Sequence, residues 1–258
     1  MTQSLGIGQL IASFDLPTGS RVEERVPKKL LVENGAPTVV DKRHINEGIE
    51  EIQWLAALKP NTIGVPEYRD DVREYLEIAV LSVTLRGSVK AGRLVELLHR
   101  AVPYPMVLLI VMQNRNLSLS LVHKRWSQGE MGKVVLDGVI VEVLLESQSP
   151  VSAIEEQFMQ ALALDRQPRT TLYDLYQGWM DTLYALHAAR LTGIFAVSAT
   201  SDQASTRRLA LQECRSLSGE GARLQGLAAK EKQLARLVDL NLELKRVQAE
   251  LTVAKGRL

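Results

Sequence analysis

The chain has 258 residues, 46% apolar and 24% charged, with a formal net charge of +1, enough for one sizeable core and an appendage. Its longest purely apolar run, Met106 to Met112, falls far short of the roughly 20 residues a membrane-spanning helix needs. No basic segment followed by an apolar one opens the sequence, so cytoplasmic residence without membrane contact is expected.

A single cysteine, Cys214, can form neither an internal disulfide nor a cysteine metal site, and its helical setting suits a small buried hydrophobe. Charge is uneven along the chain. Ser205 to Leu258 holds 11 Lys or Arg against 6 Asp or Glu, a net of +5, which leaves −4 for the remainder. A basic tail fits nucleic acid or an acidic partner, and a solvated helix face equally.

Residues 1–37 carry Gly6, Gly8, Pro17, Gly19, Pro27, Gly35 and Pro37 without a sustained period, which predicts an irregular arm with a short ordered piece at Leu10 to Phe14. Thr38 with Asp41 three residues on has the spacing of a helix N-cap, and Ile45, Ile49, Ile52 and Leu55 then mark a helical face ending before Pro60. Leu76 to Arg86, rich in β-branched residues, reads as a strand, and Val89 to Val102 as a helix. Met106 to Met112 is short enough to be a central strand buried on both faces. Leu117, Leu119 and Leu121 alternate with Ser118 and Ser120, and the Asn114-Arg115-Asn116 bridge predicts a hairpin with the preceding strand. Lys133 to Leu145 supplies a fourth strand. Helices follow at about 151–164 and 170–191, the second opening with Thr171 and Asp174 and carrying Leu172, Tyr176, Trp179, Leu183 and His187 on one side.

Residues 192–204 read as a linker. Beyond it a helix at Leu209 to Leu217 is expected to break at Gly219 and Gly221, with a longer one from Ala222 to Arg257. In that last helix Leu237, Leu240, Leu244, Val247, Leu251, Ala254 and Leu258 recur in alternating steps of three and four. Such a stripe must lie on another helix, in this chain, in a second copy or in another protein. The fold class is therefore α/β (α+β): a mixed four-stranded sheet with flanking helices over residues 38–191, then a basic C-terminal helical hairpin or coiled coil over 205–258.

Chemistry is harder to find. Gly6-x-Gly8 and Gly87-Ser88-Val89-Lys90 lack the spacing of a phosphate-binding loop. The four histidines, His44, His99, His123 and His187, fall one per element without zinc-ligand spacing. A Mg²⁺ nuclease of the restriction type would need an acidic-x-Lys on a strand; Glu77 and Glu142 could adjoin in the sheet, but no lysine stands beside them. Neither cofactor, metal nor catalytic residue is assigned. Two basic clusters, Lys28-Lys29 and Lys124-Arg125 beside His123 and Trp126, could pair with phosphates.

Val26-Pro27-Lys28-Lys29, Asp41-Lys42-Arg43 running into Ile52-Gln53-Trp54 and Leu58-Lys59-Pro60, His99 to Pro105 (His-Arg-Ala-Val-Pro-Tyr-Pro), and His123-Lys124-Arg125 occur in the order seen in the bacterial domain of unknown function 4391 family. Lys230-Glu231-Lys232-Gln233 followed by Leu240-Asn241-Leu242-Glu243-Leu244 resembles that family's C-terminal signature. The chain resembles this family over roughly residues 14 to 257. The resemblance implies a place in bacterial anti-phage defence, near helicases and DNA methyltransferases, and no activity that transfers residue by residue. A non-enzymatic adaptor is thus expected, docking a helicase- or methyltransferase-type protein, or a second copy, through Leu237, Leu240, Leu244, Val247 and Leu251. Direct binding of DNA or RNA through Lys28, Lys29, Lys124 and Arg125 is the alternative, and an unrecognised Mg²⁺ nuclease the third.

Overall fold

A computed structural model describes residues 5–87, 91–147 and 150–258. It divides into two compact units, a body that ends at Leu183 and a second unit from Tyr184 to Leu258.

The body opens with α1 (Ile7–Ala12) and a 3-10 turn, then β1 (Arg21–Arg25), α2 (Lys28–Gly35), α3 (Val39–Gly48) and β2 (Ile49–Leu58). A single helical turn α4 (Pro60–Ile63) and a small ribbon of β3 (Tyr68–Arg69) and β4 (Glu74–Tyr75) lead into β5 (Ile78–Leu85). Next come α5 (Ala91–Ala101), β6 (Met106–Val111), β7 (Leu117–Trp126), β8 (Val134–Leu145), α6 (Ala153–Ala161) and α7 (Leu172–Thr192), of which Leu172–Leu183 belongs to the body. The main sheet has six strands in the order β1-β2-β5-β6-β7-β8. Among the described residues only β5 and β6 pair in parallel, with α5 between them in the chain; the other neighbours in this sheet are antiparallel.

The four expected strands are present and two more join them. Both extra strands hid for physical reasons. β1 lies within the stretch read as an irregular arm; it is a charged, largely exposed edge strand, without the apolar alternation that marks a half-buried one. β2 replaces the second half of the expected helix. The register slips between Ile49 and Glu51, so Ile49 and Ile52 both face the core although three residues apart, and a bulge thereby imitates helical spacing. Upstream the N-cap reading holds: the Asp41 amide donates to Thr38 Oγ1 at 3.1 Å, and Arg93 grips the Asp41 carboxylate at 2.9 and 3.0 Å. That guanidinium holds the Asp41 carboxyl below its ordinary range.

Both faces of the sheet are covered. Leu31, Ile45, Ile49, Leu94, Leu97 and Leu98 from α2, α3, the start of β2 and α5 pack with Leu81, Val83, Met106, Leu108 and Ile110 of the central strands. On the opposite face Leu172, Tyr176, Trp179 and Leu183 of α7 are fully buried, the side expected from their spacing, and Phe14 meets the Trp179 ring edge-on at 5.6 Å. The predicted β6–β7 hairpin turns through Arg115, whose φ of 63° is stabilised by the Asn116 amide donating to Asn114 Oδ1 at 3.1 Å.

In the second unit α8 (Ser201–Ala228) and α9 (Leu234–Lys255) form an antiparallel pair. Arg207 Nε donates to the Leu258 carbonyl at 3.1 Å and Arg257 meets Glu213 at 2.5 Å. The expected break at Gly219 and Gly221 is absent: α8 runs through both, and the chain turns instead between Ala228 and Leu234. Closing the turn with 230–233 leaves α9 shorter than expected. Glycine lowers helix propensity by about 1 kcal/mol, and packing overrides it here.

Candidate functional site

The C-terminal half of β7 carries the densest polar arrangement. Its register against β8 slips between Leu121 and His123, after which His123 turns toward α7 while Lys124 faces α5 and the segment that follows it. On the α7 side, Tyr75 donates to His123 Nδ1 at 2.5 Å. The other ring nitrogen meets Gln177 Oε1 at 2.8 Å; an amide oxygen only accepts, so Nε2 carries the proton. Gln177 passes the chain on to Asp181 at 2.9 Å. Tyr173 stacks on the imidazole with centroids 4.9 Å apart and receives a hydrogen bond from Arg73 at 3.1 Å, and Asp137 joins Arg73 to Arg125 at 3.2 and 3.5 Å. Tyr176 donates to backbone carbonyls of β6 and β7 at 2.8 and 3.0 Å. Burial raises the hydroxyl pKa of Tyr75 and of Tyr176, so both stay protonated donors.

Across the sheet Lys124 is 3% exposed. Its ammonium donates to the Val102 carbonyl, and burial pushes its pKa down to about 7. His99 holds Ser120 Oγ at 2.9 Å through Nε2 and among the described residues has no hydrogen-bond partner at Nδ1; burial, helped by the Lys124 charge, lowers its pKa to about 3. Above them opens a cleft of about 190 Å³ lined by Glu74, Pro103, Tyr104, Lys124, Arg125 and Trp126, among others. The His99–Pro105 segment and the His123–Arg125 segment, remote in sequence, meet here. Lack of water therefore disfavours the charged forms of Lys124 and His99 and keeps the Tyr75 and Tyr176 hydroxyls protonated. Among the described residues no three His, Cys, Asp or Glu side chains gather as metal ligands would.

Residues 14–251 match the family described as Domain of unknown function (DUF4391). The chain belongs to this family. No curated protein and no solved structure matches it. The DUF4391 match covers the whole sheet, the cleft and most of the hairpin.

Within this DUF4391 chain the residues singled out from sequence fall in different places. The four basic candidates stand on two elements, Lys28 and Lys29 on α2 and Lys124 and Arg125 on β7. Lys28 donates to the Asn46 carbonyl at 3.3 Å and to that of Ile49, which ties α2 to the α3–β2 junction; burial and the charge of Arg86 lower its pKa. Lys124 is likewise spent inside the fold. Both ammonium groups thus tie backbone segments together. Lys29 stands exposed beside Glu33 at 3.7 Å, and Arg125 pairs with Asp137. Glu77 and Glu142 do not adjoin: β5 and β8 are three strand spacings apart, about 14 Å, and each carboxylate has its own partner, Lys59 at 3.1 Å and Ser118. The Gly87 to Lys90 stretch lies outside the described residues from 88 onward.

The heptad positions behave as a set. Leu237, Leu240, Leu244, Val247, Leu251, Ala254 and Leu258 are all buried or half-buried, whereas Asn241 is exposed. α8 covers the stripe: a Cβ at Gly221 would lie 3.9 Å from both Leu244 and Val247. Sequence reasoning missed the Tyr75–His123–Gln177 chain because it joins three distant elements. Its one local trace is the i, i+3, i+4 spacing of Tyr173, Tyr176 and Gln177.

Proposed function

We propose that the chain is a non-enzymatic accessory or adaptor protein whose C-terminal helices form its interaction module. One observation carries this reading: α9 is apolar on two opposite sides. α8 closes one, and Leu234, Val238, Leu242 and Val253 on the other are 76%, 49%, 61% and 67% exposed. A helix confined to a monomer surface needs only one apolar stripe. The resemblance to defence-island components supplies the class of larger partner, a helicase- or methyltransferase-type protein. Changing Leu237 and Leu244 together to Asp should open the α8–α9 pair while the body stays folded. Binding to a purified helicase or methyltransferase encoded beside the gene, followed by calorimetry, should then be lost; unchanged affinity in that variant would remove the support for this reading.

Direct nucleic-acid binding is the second reading, favoured by the net charge of +5 over Ser205 to Leu258. It predicts affinity that falls steeply with salt. Fluorescence anisotropy with DNA and RNA at low salt tests it, and no binding there ends it.

A further inference from the structure

The outer face of α9 has a symmetry of its own. Leu234, Val238 and Leu242 advance by four, then Ala249 and Val253 by seven and four, so at 3.6 residues per turn they share a sector of about 100°. That sector lies opposite the stripe covered by α8, and every one of these residues is exposed. Now lay a second α9 against it in antiparallel register about a point between Glu243 and Leu244. Leu234 comes opposite the second copy's Val253, and Val238 opposite its Ala249. These four apolar positions match one another, and Leu242 comes opposite Lys245 of the second copy. On one rim of the sector stand Asp239 and Arg246, on either side of that midpoint. In the antiparallel register each Asp239 comes within two residues of Arg246 in the other copy, about 3 Å along the axis at 1.5 Å per residue, and symmetry makes the pairing twice. Laid parallel, the same helices would put this rim on opposite sides of the seam in the two copies, and Asp239 would lose its Arg246 partner. Lys245 lies inside the sector, and it can lay its aliphatic stem over the facing Leu242 while its ammonium reaches out to water.

We infer that the outer face of α9 binds a second copy of this chain, antiparallel, so that two hairpins join into a four-helix bundle with Leu242 at its centre. An isologous contact of this kind closes on itself and leaves no further face of α9 to propagate. The inference rests on reading the hairpin as the interaction module and names the first partner of that surface; a larger protein would then meet the paired hairpins.

The test uses the full-length chain and residues exposed in the monomer. Light scattering at tens of micromolar should give twice the 28.6 kDa of one chain. Asp239→Arg and Arg246→Asp each place like charges together at both symmetric contacts, and each alone should weaken self-association roughly tenfold. The double reversal Asp239→Arg/Arg246→Asp should restore it. So should mixing the two single variants, because only the mixed pair has opposite charges at both contacts. Leu242→Glu should give a monomer with unchanged circular dichroism. A monomeric wild type, a larger oligomer, or single reversals that dimerise as well as the wild type would overturn the inference. A monomeric wild type that still binds the helicase- or methyltransferase-type protein would overturn the pairing alone and leave the docking reading standing.

Discussion

Lys124 gives the sharpest quantitative test of the body. Its folded pKa of about 7 lies below the ordinary value of 10.5, so between these limits the unfolded chain binds the proton more readily. Stability is therefore full above the unfolded value and is lost as the pH falls toward 7. At pH 7 the burial of this amine costs about 4 kcal/mol by linkage. Lys124→Met fills the same space without a charge and forfeits the bond to the Val102 carbonyl, worth about 1–2 kcal/mol. The variant should thus be more stable than the wild type by about 2–3 kcal/mol at pH 7. Raising the pH to 8.5 should recover about 2 kcal/mol in the wild type relative to the variant. Urea unfolding of both proteins at pH 7, 7.75 and 8.5 measures this, and the difference between them cancels groups they share, including the Cys214 thiol, which burial raises. Parallel stability curves, or a Met variant that is less stable at pH 7, would refute the assignment of Lys124 as a desolvated amine.

His99 should act in the same direction at lower pH. With its folded pKa near 3, wild-type stability relative to His99→Gln should fall by about 2 kcal/mol between pH 7.5 and 5, measured by denaturant titration. Gly35→Ala should destabilise the body by about 2 kcal/mol, read as a lowered melting temperature, because the new Cβ would sit 2.5 Å from Ala101 Cβ and 2.7 Å from the Leu97 carbonyl. Leu109→Asp, at a fully buried position of β6, should abolish soluble expression by placing an uncompensated charge between two strands; a well-folded soluble variant would show that the core lies elsewhere.

Features legible in the sequence were those set by neighbours in the chain. Thr171 accepts from the Asp174 amide at 3.2 Å, as its spacing suggested, and the stripe from Leu237 to Leu258 turned inward as a set. The Asn114 turn and the buried run of β6 were equally local. Features that a distant element decides were not legible. The serines that alternate with leucines in β7 are buried, and Glu142 from the neighbouring strand and His99 from α5 give Ser118 and Ser120 their partners. Lys124 and Arg125 looked alike as adjacent cations, and only the pleat, which sends them to opposite faces, separates an interior amine from one that pairs with Asp137. The glycines of α8 signalled a break that the pairing with α9 suppresses.

Those glycines have a kinetic consequence. Gly219, Gly221 and Gly226 fall within eight residues of α8, and each weakens the helix by roughly 1 kcal/mol relative to alanine. The segment toward Ala228 is helical only while α9 lies on it, so the pair should unzip from its turn rather than from its termini, where Arg207 and Arg257 hold the ends. Amide hydrogens from Gly219 to Ala228 should accordingly exchange with solvent well before those around Ala210 and Cys214, and the hairpin would breathe from its tip.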